Sequence, residues 1–460
     1  MVASWDLPML FAPSAARSTN VSTAGETPSS NSQNAILAAN GTAPSPAHLS
    51  LQASHRRGWG SLYAALDRGH IDAEALRKLL ARHPLAGTEG ETPVYAVDAS
   101  VWARCDAETS PERGYYYYYY HHPSRHSAGQ PIVAGWAYQF VARLNFACES
   151  WTAPVDVERV RPAQDANVVA AGQVKVLLGR LEEGEAVPLF VFDAGYDPVK
   201  LQRELEGSPC RILVRLRAGR RFYGDPGLCD PPTHVGRPRR HGPKMKCNNP
   251  GTWPEPSAEH ACEDAGYGSV RVRAWAELHP KVQNHEERGG RGPLPIVVGT
   301  LVLVEVERLP RGESRRKPRV LWLWWHGPEG TPPDLDHIWR SYVRRFDLEH
   351  TFRFLKQSMG WTTPRVRHPE QADRWRWLVV AAFAQLRLAR TYVEDLRLPW
   401  ERRYYAGRLT PIRVHRAVSA LLAHLGTPAK PPKPCGRSPG RPKGRLSGRA
   451  KRYPALKRSA

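Results

Sequence analysis

The stretch Pro188–Phe192, PLFVF, constrains this chain more tightly than any other. A half-solvated strand alternates apolar and polar residues, and this one does not. Its unbroken apolar character calls for cover on both faces, as in a sheet with helices packed on either side. The fold class it implies is α/β. Asp193 follows at once, so the strand ends in a carboxylate. A second β-rich run, Val94–Val97 (VYAV), ends the same way, in Asp98. If the two strands are neighbours, Asp98 and Asp193 share one edge of the sheet. Asp197, beside Pro198, reads differently: it is the N-cap of a helix over 199–205.

Ile338–Gly360 (IWRSYVRRFDLEHTFRFLKQSMG) has no Pro or Gly before its last residue and reads as one long helix. At about 100° per residue, Tyr342, Arg345, Glu349 and Lys356 fall along one ridge, with Leu348, Phe352 and Leu355 along another. A carboxylate between cations and a phenol thus lies beside a face that suits a core. The same charges would also serve as ordinary surface ion pairs along a helix. Two strand-end aspartates plus a helical glutamate can nevertheless make a two-metal phosphodiester site.

These residues carry a resemblance. The spacing Tyr342-x2-Arg345-x3-Glu349-x6-Lys356, with Asp98 and Asp193 ahead of it, resembles the DDE transposases of bacterial insertion sequences. The resemblance implies a ribonuclease-H-like mixed sheet flanked by helices, with a β-rich insertion before the glutamate helix. It implies that Asp98, Asp193 and Glu349 are the catalytic residues and the ligands of two Mg²⁺ ions, for which Mn²⁺ can substitute. Tyr342, Arg345 and Lys356 would hold DNA phosphates. Double-stranded DNA, as element ends and as target, would be the partner, bound by a homodimer. A tryptophan of the insertion would steady a flipped base, and Trp322, Trp324 and Trp325 are the candidates, although such residues more often form core. Two other functions stay open: a metal-dependent nuclease without strand transfer, and a non-catalytic DNA-binding protein.

The rest of the chain divides around this core. Residues 1–46 are rich in Ser, Ala, Thr, Asn and Pro, carry only Asp6, Arg17 and Glu26 as charges, and are expected to be disordered. Residues 47–90 suit a small helical module, with helices at Arg57–Leu66 and Ala73–Arg82, the second capped by Asp72. The core's first part is expected over 91–205, with strands at Gly135–Leu144 and Phe146–Trp151 and a helix over Gln164–Glu182. The tyrosine run Tyr115–Tyr120 reads as a loop expansion. The insertion is expected over 206–332, from strands at Arg211–Arg217, Val270–Glu277, Ile296–Val306 and Arg319–Trp325. Within it Arg211, Arg215 and Arg217 share a face, and Arg215 and Arg217 are candidates to line DNA. The core's second part, 333–425, holds a further long helix at Asp373–Leu396. The tail, 426–460, is expected to be a disordered polycation in which Arg441 and Lys443 sit in a Gly-Arg-Pro segment that suits a minor groove or a phosphate backbone.

The formal net charge of +22 fits a polyanionic partner, and nucleic acid is the commonest. No run of 18 apolar residues exists, so no membrane span is expected. Asp6 and Pro8 interrupt what a signal peptide would need. The seven scattered cysteines, with no CxxC, suggest reduced thiols in a cytoplasmic protein, and the resemblance implies a bacterial, nucleoid-associated one. Cys229, His234, His241 and Cys247 offer zinc-ligand chemistry at spacings that fit no usual pattern.

Overall fold

A computed structural model of the chain describes residues 28–39, 41–43, 45–55, 60–83, 92–117, 132–147, 149, 151–181, 186–228, 240–282, 296–310, 320–404, 408–425, 443–444 and 448–457. Helices α1 (Pro28–Ala38), α2 (Pro46–Leu49), α3 (Ser61–Arg68) and α4 (Ala73–Ala81) come first. Strands β1 (Val94–Ala103), β2 (Gly114–Tyr117), β3 (Ile132–Arg143) and β4 (Ala153–Val160) follow. Then come α5 (Ala166–Leu178), β5 (Leu189–Phe192), α6 (Pro198–Glu204) and β6 (Arg211–Leu216). Six strands succeed one another: β7 (Arg221–Tyr223), β8 (Lys244–Lys246), β9 (Ala258–Asp264), β10 (Gly268–Pro280), β11 (Gly299–Val306) and β12 (Val320–His326). The chain closes with α7 (Leu335–Arg344), α8 (Phe346–Gln357), α9 (Pro369–Ala389) and α10 (Pro411–Leu425).

The chain forms two units. The first comprises residues 1–88, 99–165 and 347–460. Here β2 and β4 both pair antiparallel with β3, in the registers Tyr116↔Val133 and Phe140↔Val157. Gly135 lets β3 approach the end of β1, because a Cβ there would lie 2.3 Å from the Trp102 carbonyl oxygen. Phe140 packs edge-on against Phe352 and Trp361, with ring centroids 5.0 and 5.1 Å away. On α9 the apolar middle is buried from Trp377 to Ala384, and Tyr138 Oη donates to Asp373 at 3.0 Å. Arg77 of α4 reaches Asp156 and Glu158 of β4 at 2.6 and 2.9 Å. The expected N-cap of α4 is present, with Asp72 accepting from the Ala75 N–H at 2.9 Å.

The second unit comprises residues 89–98 and 166–346 and is built on a mixed sheet. The start of β1 pairs parallel with β5, and β5 pairs parallel with β6. From β6 outward the sheet turns antiparallel through β12, β11 and β10, which then pairs with β9 and, at its far end, with β7. All four residues of β5 are buried, as its sequence requires. Asp197 caps α6 by accepting from the Val199 and Lys200 N–H groups at 2.9 and 3.1 Å. An opening run of strands, then α5 leading to β5 beside β1, then α6 leading to β6, is the ribonuclease-H-like succession of a mixed α/β fold.

Several expectations need correction. Arg211–Leu216 does not open the insertion: as β6 it extends the parallel sheet, and the added strands begin at β7. The described residues of Phe146–Trp151 form no strand: Asn145 Oδ1 accepts from the Ala147 N–H at 2.8 Å and turns the chain, and β4 begins at Ala153. Residues 115–117 of the tyrosine run form β2 rather than a loop, and 118–122 lie outside the described residues. Within 1–46, residues 32–39 bury Ile36 and Leu37, and Ala38 accepts from Ser419 Oγ of α10 at 2.7 Å. In the tail, Leu456 bridges Gly114 at the start of β2, and the Tyr453 N–H donates to Glu108 O at 2.8 Å. The long helix is split into α7 and α8. Arg345 keeps helical angles, φ −51° and ψ −32°, but its N–H is shared between the Ser341 and Tyr342 carbonyls, both at 3.2 Å. Such a bifurcated bond tightens the ladder locally and ends a regular α-turn.

Candidate active site

The parallel ladders set three side chains in a row. Val97 of β1 is level with Phe192 of β5, and Phe192 is level with Val214 of β6. The next residues are Asp98, Asp193 and Arg215. They stand side by side where the parallel ladders end, outside the carboxyl ends of the strands, where open α/β sheets bind ligands. The shared edge expected for the two aspartates is therefore present. Arg215 adds a cation to it, exposed between the buried Val214 and Leu216.

Each aspartate is held differently. Asp193 Oδ1 accepts from the Gly195 N–H at 2.8 Å, which fixes the carboxylate, and Oδ2 has no protein partner among the described residues. Asp98 Oδ2 receives Arg345 Nη1 at 2.6 Å, with both side chains largely buried. The Arg345 guanidinium also lies 5.6 Å from the Tyr342 ring centroid. Burial raises the Tyr342 phenol above its ordinary pKa, and Arg345 and Arg215 oppose that rise only in part. Tyr342 therefore stays a neutral hydrogen-bond donor. Five expected site residues, Asp98, Asp193, Arg215, Tyr342 and Arg345, thus belong to the second unit, and the pair with Asp98 and the pull on the Tyr342 phenol tie Arg345 and Arg215 to their neighbours.

The remaining expected residues fall elsewhere. Glu349 is half-buried in the first turn of α8, and with Lys356 it belongs to the first unit. Within that unit the Lys356 ammonium sits 5.6 Å from the Trp361 ring centroid, and burial pulls its pKa down to about 8. Arg217, just beyond β6, and Lys443 are exposed, and Arg441 lies outside the described residues. Trp322, Trp324 and Trp325 are all buried, in agreement with the core reading. Of the loose zinc-type set, Cys229 and His234 lie outside the described residues, Cys247 is buried, and His241 Nδ1 lies 2.9 Å from His279 Nε2.

The donors at the strand ends are carboxylate oxygens, and Asp193 Oδ2 is unclaimed among the described residues. That is the chemistry a hard divalent cation such as Mg²⁺ takes. Among the described residues no helix is long and apolar enough to cross a membrane.

No curated protein matches the chain. A family model described as DDE superfamily endonuclease matches residues 33–281, a range that takes in Asp98, Asp193 and Arg215 and ends before α7. That match spans more than half of the 460 residues, and the chain belongs to the DDE superfamily endonucleases.

Proposed function

We propose that this endonuclease-family protein is a transposase, which cuts DNA at the ends of an insertion sequence and joins the freed ends to a target. The superfamily acts on DNA and typically uses divalent metals. The observation that carries the reading is the placement of Asp98 and Asp193 at one level on adjacent parallel strands. The spacing of Tyr342, Arg345, Glu349 and Lys356 adds to it.

In this reading Asp98, Asp193 and Glu349 would hold two Mg²⁺ ions, which would supply positive charge to the reacting phosphate. The side chains do the rest. Gly195 keeps Asp193 turned toward the ligand. Arg345 fixes the position of the Asp98 carboxylate. Arg215 anchors a phosphate beside the row, and Tyr342 donates a hydrogen bond to one. Lys356, with its lowered pKa, gives up or takes a proton near neutrality more readily than a solvated lysine. Water attacks the phosphorus at the element end, the P–O3′ bond breaks, and a 3′-hydroxyl is released. That hydroxyl then attacks a target phosphodiester, displacing a target 3′-oxygen and forming the joined strand. A homodimer that pairs two element ends would make both joints.

The test supplies a pre-cleaved element end bearing a 3′-hydroxyl, with target DNA and Mg²⁺. Joined product supports the transposase reading. Cutting without joining would reduce it to a nuclease.

A further inference from the structure

A second cluster of metal-ligand side chains lies away from the aspartate row. His260 and Cys262 alternate on β9, so both point to one face of the strand, and Asp336 in the first turn of α7 meets that face. His260 Nε2 lies 3.2 Å from Asp336 Oδ1, and Cys262 Sγ lies 3.9 Å from the same oxygen. One donor atom from each of the three residues falls within 4.8 Å of the other two. None of the three is fully exposed.

We infer that His260, Cys262 and Asp336 form a zinc site that clamps β9 to α7. Imidazole, thiolate and carboxylate are the mixed donors that Zn²⁺ takes, and three protein ligands leave one position for water. The distances are those of a set that closes by small side-chain rotations, since zinc draws its ligands to about 2.0–2.3 Å.

The charges around the cluster also balance. Arg340 Nε donates to Asp336 Oδ2 at 2.9 Å, and its Nη1 lies 3.4 Å from Asp264 Oδ2. Asp264 is in turn fixed by the Gly266 and Tyr267 N–H groups at 2.8 and 3.1 Å. Two aspartates and a thiolate offset a dication and one guanidinium. Trp339 Nε1, 3.0 Å from Asp336 Oδ1, orients the carboxylate as an outer-shell donor does. Because α7 carries Tyr342 and leads directly into Arg345, the clamp would steady the helix that positions them.

The test is titration of the full-length protein with Co²⁺, which gives an intense charge-transfer absorption only when a thiolate is a ligand. The Asp98 and Asp193 carboxylates cannot produce that band. The inference predicts a band that saturates near one equivalent, is displaced by Zn²⁺, is lost in Cys262→Ser, and is weakened in His260→Ala but not in Asp193→Asn. Circular dichroism confirms that each variant folds, and His260→Ala decides the matter if Cys262→Ser does not. No band in the wild type, or one unchanged in both variants, would overturn the site.

Discussion

Arg345 places Nη1 2.6 Å from Asp98 Oδ2, with side chains only 9% and 15% exposed. The Asp98 carboxylate is thus paired with the cation of the residue that caps α7. Desolvating both charges is costly, but stranding one of them is worse. Replacing Arg345 with Ala should destabilise the protein by about 3 kcal/mol, as expected for the loss of one partner of a buried pair. Urea unfolding of the two proteins checks this, and an unchanged midpoint would contradict it.

Asp193→Asn separates chemistry from folding. The amide keeps an oxygen that can accept from Gly195 N–H, so stability should shift by less than about 0.5 kcal/mol. Cleavage of element DNA should fall to background. The comparison uses one preparation for thermal melting and for nicking of labelled DNA.

Arg215 is exposed, so Arg215→Ala should leave the melting temperature unchanged. It should weaken DNA binding and lower the salt slope, d log K/d log[salt], by about one unit. Fluorescence anisotropy across a salt series reads both quantities.

Lys356 predicts a pH dependence. Burial lowers its pKa from 10.5 to about 8, so between those values the unfolded chain holds a proton that the folded chain has released. Stability from this group therefore rises with pH across that window, and below about 8 the buried ammonium is a liability. Lys356→Met should be more stable than wild type at neutral pH and should lose the rise in stability toward high pH. Denaturation at pH values below and within the window tests this, and parallel curves for the two proteins would contradict it.

Much of the core was legible because its signals are local. An unbroken apolar run needs two covered faces, and an aspartate after it can lie only at the strand end. The caps at Asp72 and Asp197 are equally local. Longer-range features were not. Nothing in RILVRL separates a core strand from an insertion strand, because only pairing with β5 decides that. The burial of Ile36 and the seat of Tyr453 depend on surfaces supplied by distant segments, which composition cannot reveal. The break at Arg345 comes from one shared hydrogen bond, below the resolution of helical periodicity. The pair between Arg345 and Asp98 joins residues 247 apart and has no sequence signal beyond the charges themselves.

The docked tail leads to a further expectation. Arg113 is buried and donates to Tyr453 O at 2.7 Å, and the Tyr115 N–H donates to Leu456 O at 3.2 Å. Deleting residues 448–460 should therefore destabilise the first unit by about 1–3 kcal/mol, mostly through the stranded Arg113 donor. Thermal melting of the truncated chain reads this directly.

The central claim is that Asp98, Asp193 and Glu349 act together on DNA. Its most direct test is an assay of element-end cleavage and strand transfer in Mg²⁺, comparing wild type with Glu349→Ala. The account predicts cut and joined products from the wild type, loss of both when the metal is chelated, and neither product from Glu349→Ala despite normal DNA binding. Equal cleavage by the two proteins would remove Glu349 from the site and contradict the account.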